Sequence, residues 1–79
     1  MISIAVLGYG TVGSGVVEVI EKNKDVIDRR AGEEIRVKYI LDLRDFPGDP
    51  YADRVVHDMN VILQDPEVSI ICETMGGNE

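Results

Sequence analysis

Gly8, Gly10 and Gly13 stand in the spacing G-x-G-x-x-G, directly after the apolar run Ile2 to Leu7 and directly before a helical pattern. Each glycine answers a separate demand that a side chain would obstruct. Gly8 permits a tight turn off the strand, Gly10 lets the main chain come close to a ligand, and Gly13 lets the helix pack on the strand. Backbone N–H groups at a helix start, aided by the positive end of the helix dipole, bind anions, and a turn of this shape sets a pyrophosphate there. The candidate cradle is Gly8, Gly10, Thr11, Val12 and Gly13. Gly15 falls inside the helical run, where glycine costs about 1 kcal/mol relative to alanine, so a close packing contact is expected for it. The bland alternative is a glycine-rich turn with no ligand; the strand before it and the helix after it favour the anion reading.

Two further groups stand where a dinucleotide would need them. Asp42 closes the second strand, and a carboxylate there accepts hydrogen bonds from the ribose hydroxyls of NAD and repels the 2′-phosphate of NADP. It lies 29 positions beyond Gly13, more than the usual spacing of about 20, which a long intervening helix accounts for. Arg44, two residues on, offers the opposite choice, a partner for a 2′-phosphate. The alternative for each is a solvated loop charge, favoured for Arg44 but not for Asp42; NAD is slightly preferred over NADP. At the far end, Glu73-Thr74-Met75-Gly76-Gly77 follows another strand. Thr74, Met75 and Gly76 are candidates to reach the nicotinamide ribose, the alternative being a loop that needs positive φ. His57 is the sole histidine and is read as a surface or strand-end residue. No catalytic residue and no metal ligand is assigned.

The elements that must position these residues follow from patterning. Ile2, Ile4, Ala5, Val6 and Leu7 make a nearly continuous apolar strand, as in a parallel strand buried on both faces. Thr11 is the expected N-cap of a helix running to about Arg30, loosened near Asn23, with Val12, Val16, Val19, Ile20 and Ile27 on its inner face. Gly32 suits its C-terminal stop, with Arg29 and Arg30 against the negative end of the dipole. Ile35 to Leu41 is a second strand. Phe46 to Pro50, with two prolines and a glycine, reads as a loop and the most mobile segment. Arg54 to Asp58 is a short strand, Met59 to Gln64 a short helix or turn, and Val68 to Glu73 a clear strand. The expected fold class is α/β, Rossmann-like, the first half of a doubly wound parallel sheet.

Composition narrows the rest. With 79 residues, 44% of them hydrophobic, the chain holds one small domain. A formal net charge of −7 and no Lys/Arg cluster argue against a nucleic acid or an anionic membrane as partner, since both need a basic face. The first apolar stretch lacks a basic n-region and is broken by Gly8, so neither a signal peptide nor a membrane span is expected, and cytoplasm is the default. Cys72, the single cysteine, reads as a small buried hydrophobe.

Taken together, Leu7-Gly8-Tyr9-Gly10-Thr11-Val12-Gly13-Ser14-Gly15-Val16-Val17, the strand Ile35-Arg36-Val37-Lys38, and Asp65-Pro66-Glu67-Val68 leading into Cys72-Glu73-Thr74-Met75-Gly76-Gly77 resemble the N-terminal nucleotide-binding segment of homoserine dehydrogenases. The likeness covers nearly the whole chain. It implies NAD or NADP as cofactor and, for a parent protein, reduction of aspartate semialdehyde to homoserine in the pathway to threonine and methionine. It also implies that residues 1–79 are a partial NAD(P)-binding domain without the substrate domain. The family's proton-transferring lysine and substrate-binding acids lie downstream of Glu79, and no lysine here matches that role. The chain alone is therefore not expected to transfer hydride at a useful rate. Its apolar strand Val68 to Glu73 would then be an edge, a template for self-association with a second copy. Two other readings stay open: a stand-alone dinucleotide-binding or sensing module, and the first half of another NAD(P)-dependent dehydrogenase.

Overall fold

A computed structural model describes residues 1–74. Four parallel strands, β1 (Ile2–Leu7), β2 (Ile35–Leu41), β3 (Val55–Val56) and β4 (Val68–Glu73), form one sheet in the order β3-β2-β1-β4. This is the left-hand portion of the 3-2-1-4-5-6 order of doubly wound folds. β1 is central, and Ile4, Ala5 and Val6 are buried from both sides, as the unbroken apolar run requires. Register levels the carboxyl ends: Leu7 faces Leu41 on one side and Glu73 on the other. Gly8, Asp42 and Thr74 are each the first residue beyond a strand, and all three emerge at this edge. The Gly8 N–H donates to the Leu41 carbonyl at 2.7 Å, and the Thr74 N–H to the Leu7 carbonyl at 3.1 Å.

The expected long helix is two: α1 (Thr11–Lys22) and α2 (Lys24–Ala31). Asn23 divides them: its backbone leaves the helical region at φ −108° and ψ 23°, and its side-chain amide donates at 3.0 Å to the Val19 carbonyl, which already accepts the Asn23 N–H as the last ladder bond at 3.1 Å. A short amide side chain that bonds its own turn competes with the helix ladder. α2 stops at Gly32, whose φ of 79° is left-handed, as the sequence indicated. The inner face of α1 needs correction. Val12 and Val19 are exposed, and Val17 is the fully buried residue, with Val16 and Ile20 packed beside it. Val17 joins Ile4, Val6, Tyr9, Val37 and Ile40 in the core, a burial that contributes about 1.5–3 kcal/mol for one such side chain. At about 100° per residue the two valines that the sequence reading placed inward fall on the side of the helix away from Val17, while Gly13, Ile20 and Val16 fall nearer to it.

The third strand is shorter than expected. A 3₁₀ turn, Ala52–Arg54, takes its first residue, and only Val55 and Val56 pair with Ile40 and Leu41. α3 (Met59–Leu63) is capped by Asp58, whose carboxylate accepts from the Asn60 N–H at 2.9 Å. Cys72 is half-buried against the core. Among the described residues no helix is long and apolar enough to cross a membrane.

Candidate functional site

The carboxyl edge of the sheet opens into a cleft of about 470 Å³ lined by Gly8, Tyr9, Gly10, Asp42, Leu43, Arg44 and Thr74. Its floor is the glycine turn. Gly8 has a φ of 101°, which a residue with a Cβ rarely adopts. A Cβ on Gly13 would collide with the Gly8 carbonyl oxygen and lie 2.9 Å from Thr74 Oγ1, so the helix seats against the turn only without a side chain there. Nothing lies within 4 Å of where a Cβ on Gly10 would project, so this side of the turn is open to a ligand. The N-cap of α1 is Gly10 and not Thr11, no side chain caps the helix, and its first turn carries no acidic residue. Its leading N–H groups thus keep the positive end of the dipole free of any anionic side chain.

Asp42 stands opposite. Its Oδ2 accepts from the Tyr9 N–H at 3.0 Å and from Arg44 Nη2 at 2.9 Å; its Oδ1 accepts from the Arg44 N–H at 2.9 Å and from Arg44 Nε at 3.0 Å. Four donors use the whole acceptor capacity of a carboxylate. The Arg44 guanidinium first, and then the two backbone N–H groups, hold the Asp42 carboxyl well below the usual range. The two partners differ in freedom, since the Asp42 side chain is 10% exposed and that of Arg44 64%. Asp42 is fixed by the turn; Arg44 can leave it.

Thr74 closes the cleft. Its Oγ1 donates toward the carbonyls of Leu7 and Gly8, at 2.8 and 2.9 Å, so the hydroxyl is spent on the turn rather than offered to the cleft. Thr11 lines an adjoining cleft with Ser14, Gly15 and Glu18, and Val12 is exposed outside both. Gly15 has nothing within 4 Å of its Cβ position, against the packing contact expected for it. The helix has turned it toward the solvent side. Met75 and Gly76 lie outside the described residues.

Tyr9 and Leu43 are lining residues that sequence reasoning missed. Tyr9 is the first x of the motif, and its ring is buried against Phe46, edge to face at 4.9 Å between centroids. Its hydroxyl donates to Asp49 Oδ1 at 2.8 Å; burial and that carboxylate push the phenol up to about 12. The Phe46–Pro50 loop, expected to be the most mobile segment, is therefore tied to the glycine turn, and an aromatic inside G-x-G was the available signal. Leu43 is 86% exposed, an isolated apolar side chain at the mouth. Among the described residues no group of His, Cys, Asp and Glu could hold a metal ion.

An all-parallel 3-2-1-4 sheet with a glycine turn feeding a helix at its carboxyl edge is the Rossmann-like α/β class that carries nucleotide sites. No family model matches the chain. It is 32% identical over 80 residues to the homoserine dehydrogenase of Helicobacter pylori, covering 99% of this chain and 18% of that one. The Pseudomonas aeruginosa homoserine dehydrogenase is 35% identical over 77 residues, covering 96% and 18%. A crystal structure of Staphylococcus aureus homoserine dehydrogenase superposes with a TM-score of 0.83 at 41% identity, over 99% of this chain and 20% of that one. By sequence and by fold, the chain is similar to one segment of these homoserine dehydrogenases. It spans between 18% and 20% of the length of these relatives.

Proposed function

We propose that the chain is the part of a homoserine dehydrogenase that holds the nicotinamide dinucleotide, within a nucleotide-binding domain whose substrate portion is supplied elsewhere in the protein. The observation that carries this reading is the convergence, on one cleft, of an uncapped helix start, an open face at Gly10 and a fixed carboxylate at Asp42. The residues fit the group. The N–H groups of the turn and of the first helical residues, Thr11, Val12 and Gly13, receive the pyrophosphate. Asp42 receives a ribose hydroxyl once Arg44 has swung away, and Arg44 swung outward meets a 2′-phosphate. Both NAD and NADP are thus admitted, Arg44 moving in either case. The bound nicotinamide supplies the hydride for reduction of an aldehyde such as aspartate semialdehyde; these residues bind and orient it.

Backbone-amide NMR during titration with NAD⁺ and then NADP⁺ tests the reading. Shifts concentrated at residues 8–13, at 42–44 and at Thr74 are expected. A folded spectrum that neither nucleotide perturbs overturns it for the chain alone. We also propose that β4, the outer strand beside β1, pairs with a second copy when no further strand covers it.

A further inference from the structure

His57 emerges directly from β3, which is paired to the end of β2, and the Asp42 N–H donates to the Val56 carbonyl at 3.1 Å. The imidazole therefore reaches the Asp42–Asp45 turn from a sheet-anchored position. Its Nδ1 lies 2.6 Å from the Asp42 carbonyl oxygen and its Nε2 lies 2.8 Å from Asp45 Oδ1. Both partners are pure acceptors. A neutral ring carries one N–H, so one of the two contacts would set lone pair against lone pair; the doubly protonated ring satisfies both.

We infer that His57 is a positioning residue for cofactor choice: as an imidazolium it clamps the first and last residues of the Asp42–Asp45 turn and so sets where Asp42 and Arg44 stand. The inference rests on the reading that this cleft takes a dinucleotide. The charged groups that bear on the ring are Asp42 and Asp45, and both favour the cation. When His57 loses its second proton the Asp45 contact opens, because Asp45 is 84% exposed and water takes its place. The turn is then held at one end only, and a positive charge is withdrawn from the turn that carries Arg44. The clamped form favours NADP⁺ relative to NAD⁺; the released form favours it less.

The test has two arms. Ring-nitrogen NMR of the ligand-free chain across pH should show a His57 midpoint above the ordinary 6.5, with the amides of Leu43, Arg44 and Asp45 moving at the same midpoint. D45N, at an exposed site that does not threaten the fold, should lower that midpoint. A midpoint at or below 6.5, or amides that do not follow it, overturns the clamp. In the second arm, the ratio of NADP⁺ to NAD⁺ dissociation constants is measured on both sides of the midpoint in the wild type and in H57Q. The comparison at each pH cancels the titration of the phosphate itself. Relative to H57Q at the same pH, the wild type should hold an NADP⁺ preference about threefold higher on the acid side of the midpoint, the size of one partly exposed charge pair, and none on the alkaline side. Equal ratios in the two proteins overturn the role in selection. Should neither nucleotide bind, the dinucleotide reading falls, and the role in selection with it, while the first arm still decides the clamp.

Discussion

The Tyr9 N–H donates to Asp42 Oδ2 at 3.0 Å, joining the glycine turn after β1 to the end of β2 across 33 residues of chain. One carboxylate thus serves the fold and the cleft together. Replacing it with alanine leaves the Tyr9 amide without its partner, which costs about 1–3 kcal/mol. D42A should show a lower urea midpoint, and its NAD⁺ affinity should fall more than its NADP⁺ affinity. D42N, which keeps an acceptor oxygen, should recover most of the stability and little of the NAD⁺ preference.

The three glycines of the helix start should separate cleanly on substitution. G13A drives a methyl into the Gly8 carbonyl and against Thr74, an overpacking cost of about 1–3 kcal/mol or more. G10A meets no protein atom, so thermal stability should hold while dinucleotide affinity drops. G15A, in open space inside a helix, should stabilise the chain by about 1 kcal/mol. Melting curves alongside NAD⁺ titrations distinguish the three; equal loss of stability in G10A and G13A would contradict the assignment.

Arg44 is the movable partner of the pair. R44A should weaken NADP⁺ by about tenfold, the worth of one charge-assisted bond to a phosphate, and leave NAD⁺ unchanged or tighter because Asp42 is released. Calorimetric titration with both nucleotides measures this directly, and equal losses for the two would show that Arg44 does not discriminate between them.

Stability should fall on both sides of neutrality, for opposite reasons. Lys38 first, at 2.6 Å, and then the Tyr39 hydroxyl, at 2.7 Å, hold Asp65 at about 2, below its ordinary 3.8. Its contribution is full above the unfolded value and is lost as pH falls from about 3.8 toward 2. His57 is raised above 6.5, first by the Asp42 carbonyl and then by Asp45, so its contribution is full below 6.5 and fades as pH rises through the folded value. Melting temperatures across pH should show both limbs. D65N should flatten only the acid one, and H57Q only the alkaline one.

β4 leaves Ile70 and Ile71 each 46% exposed. Neighbouring residues of a strand point to opposite faces, so both faces of this edge are open. Sedimentation should find dimers or larger species whose share grows with concentration, and I71K should return the chain to a monomer. A monomer for the wild type at the highest attainable concentration would rule the pairing out.

The sequence by itself determined three of the four strands, the glycine turn and the residues that end those three strands. Ile2–Leu7, Ile35–Leu41 and Val68–Glu73 are legible because an apolar parallel strand is written in consecutive residues, and Gly32 because a left-handed helix stop nearly requires glycine. The break at Asn23 was half visible, since only the structure shows both of its N–H groups turned back on Val19. Tertiary structure alone decided that Val17 and not Val12 or Val19 meets the sheet, that Gly15 faces open space, and that Tyr9 reaches Asp49. It alone placed His57 between Asp42 and Asp45. Local pattern fixes what each segment becomes, because backbone propensity acts within a few residues. Which side chains meet across 15, 33 or 40 positions depends on strand order and register, and those are set by the packing of the whole sheet.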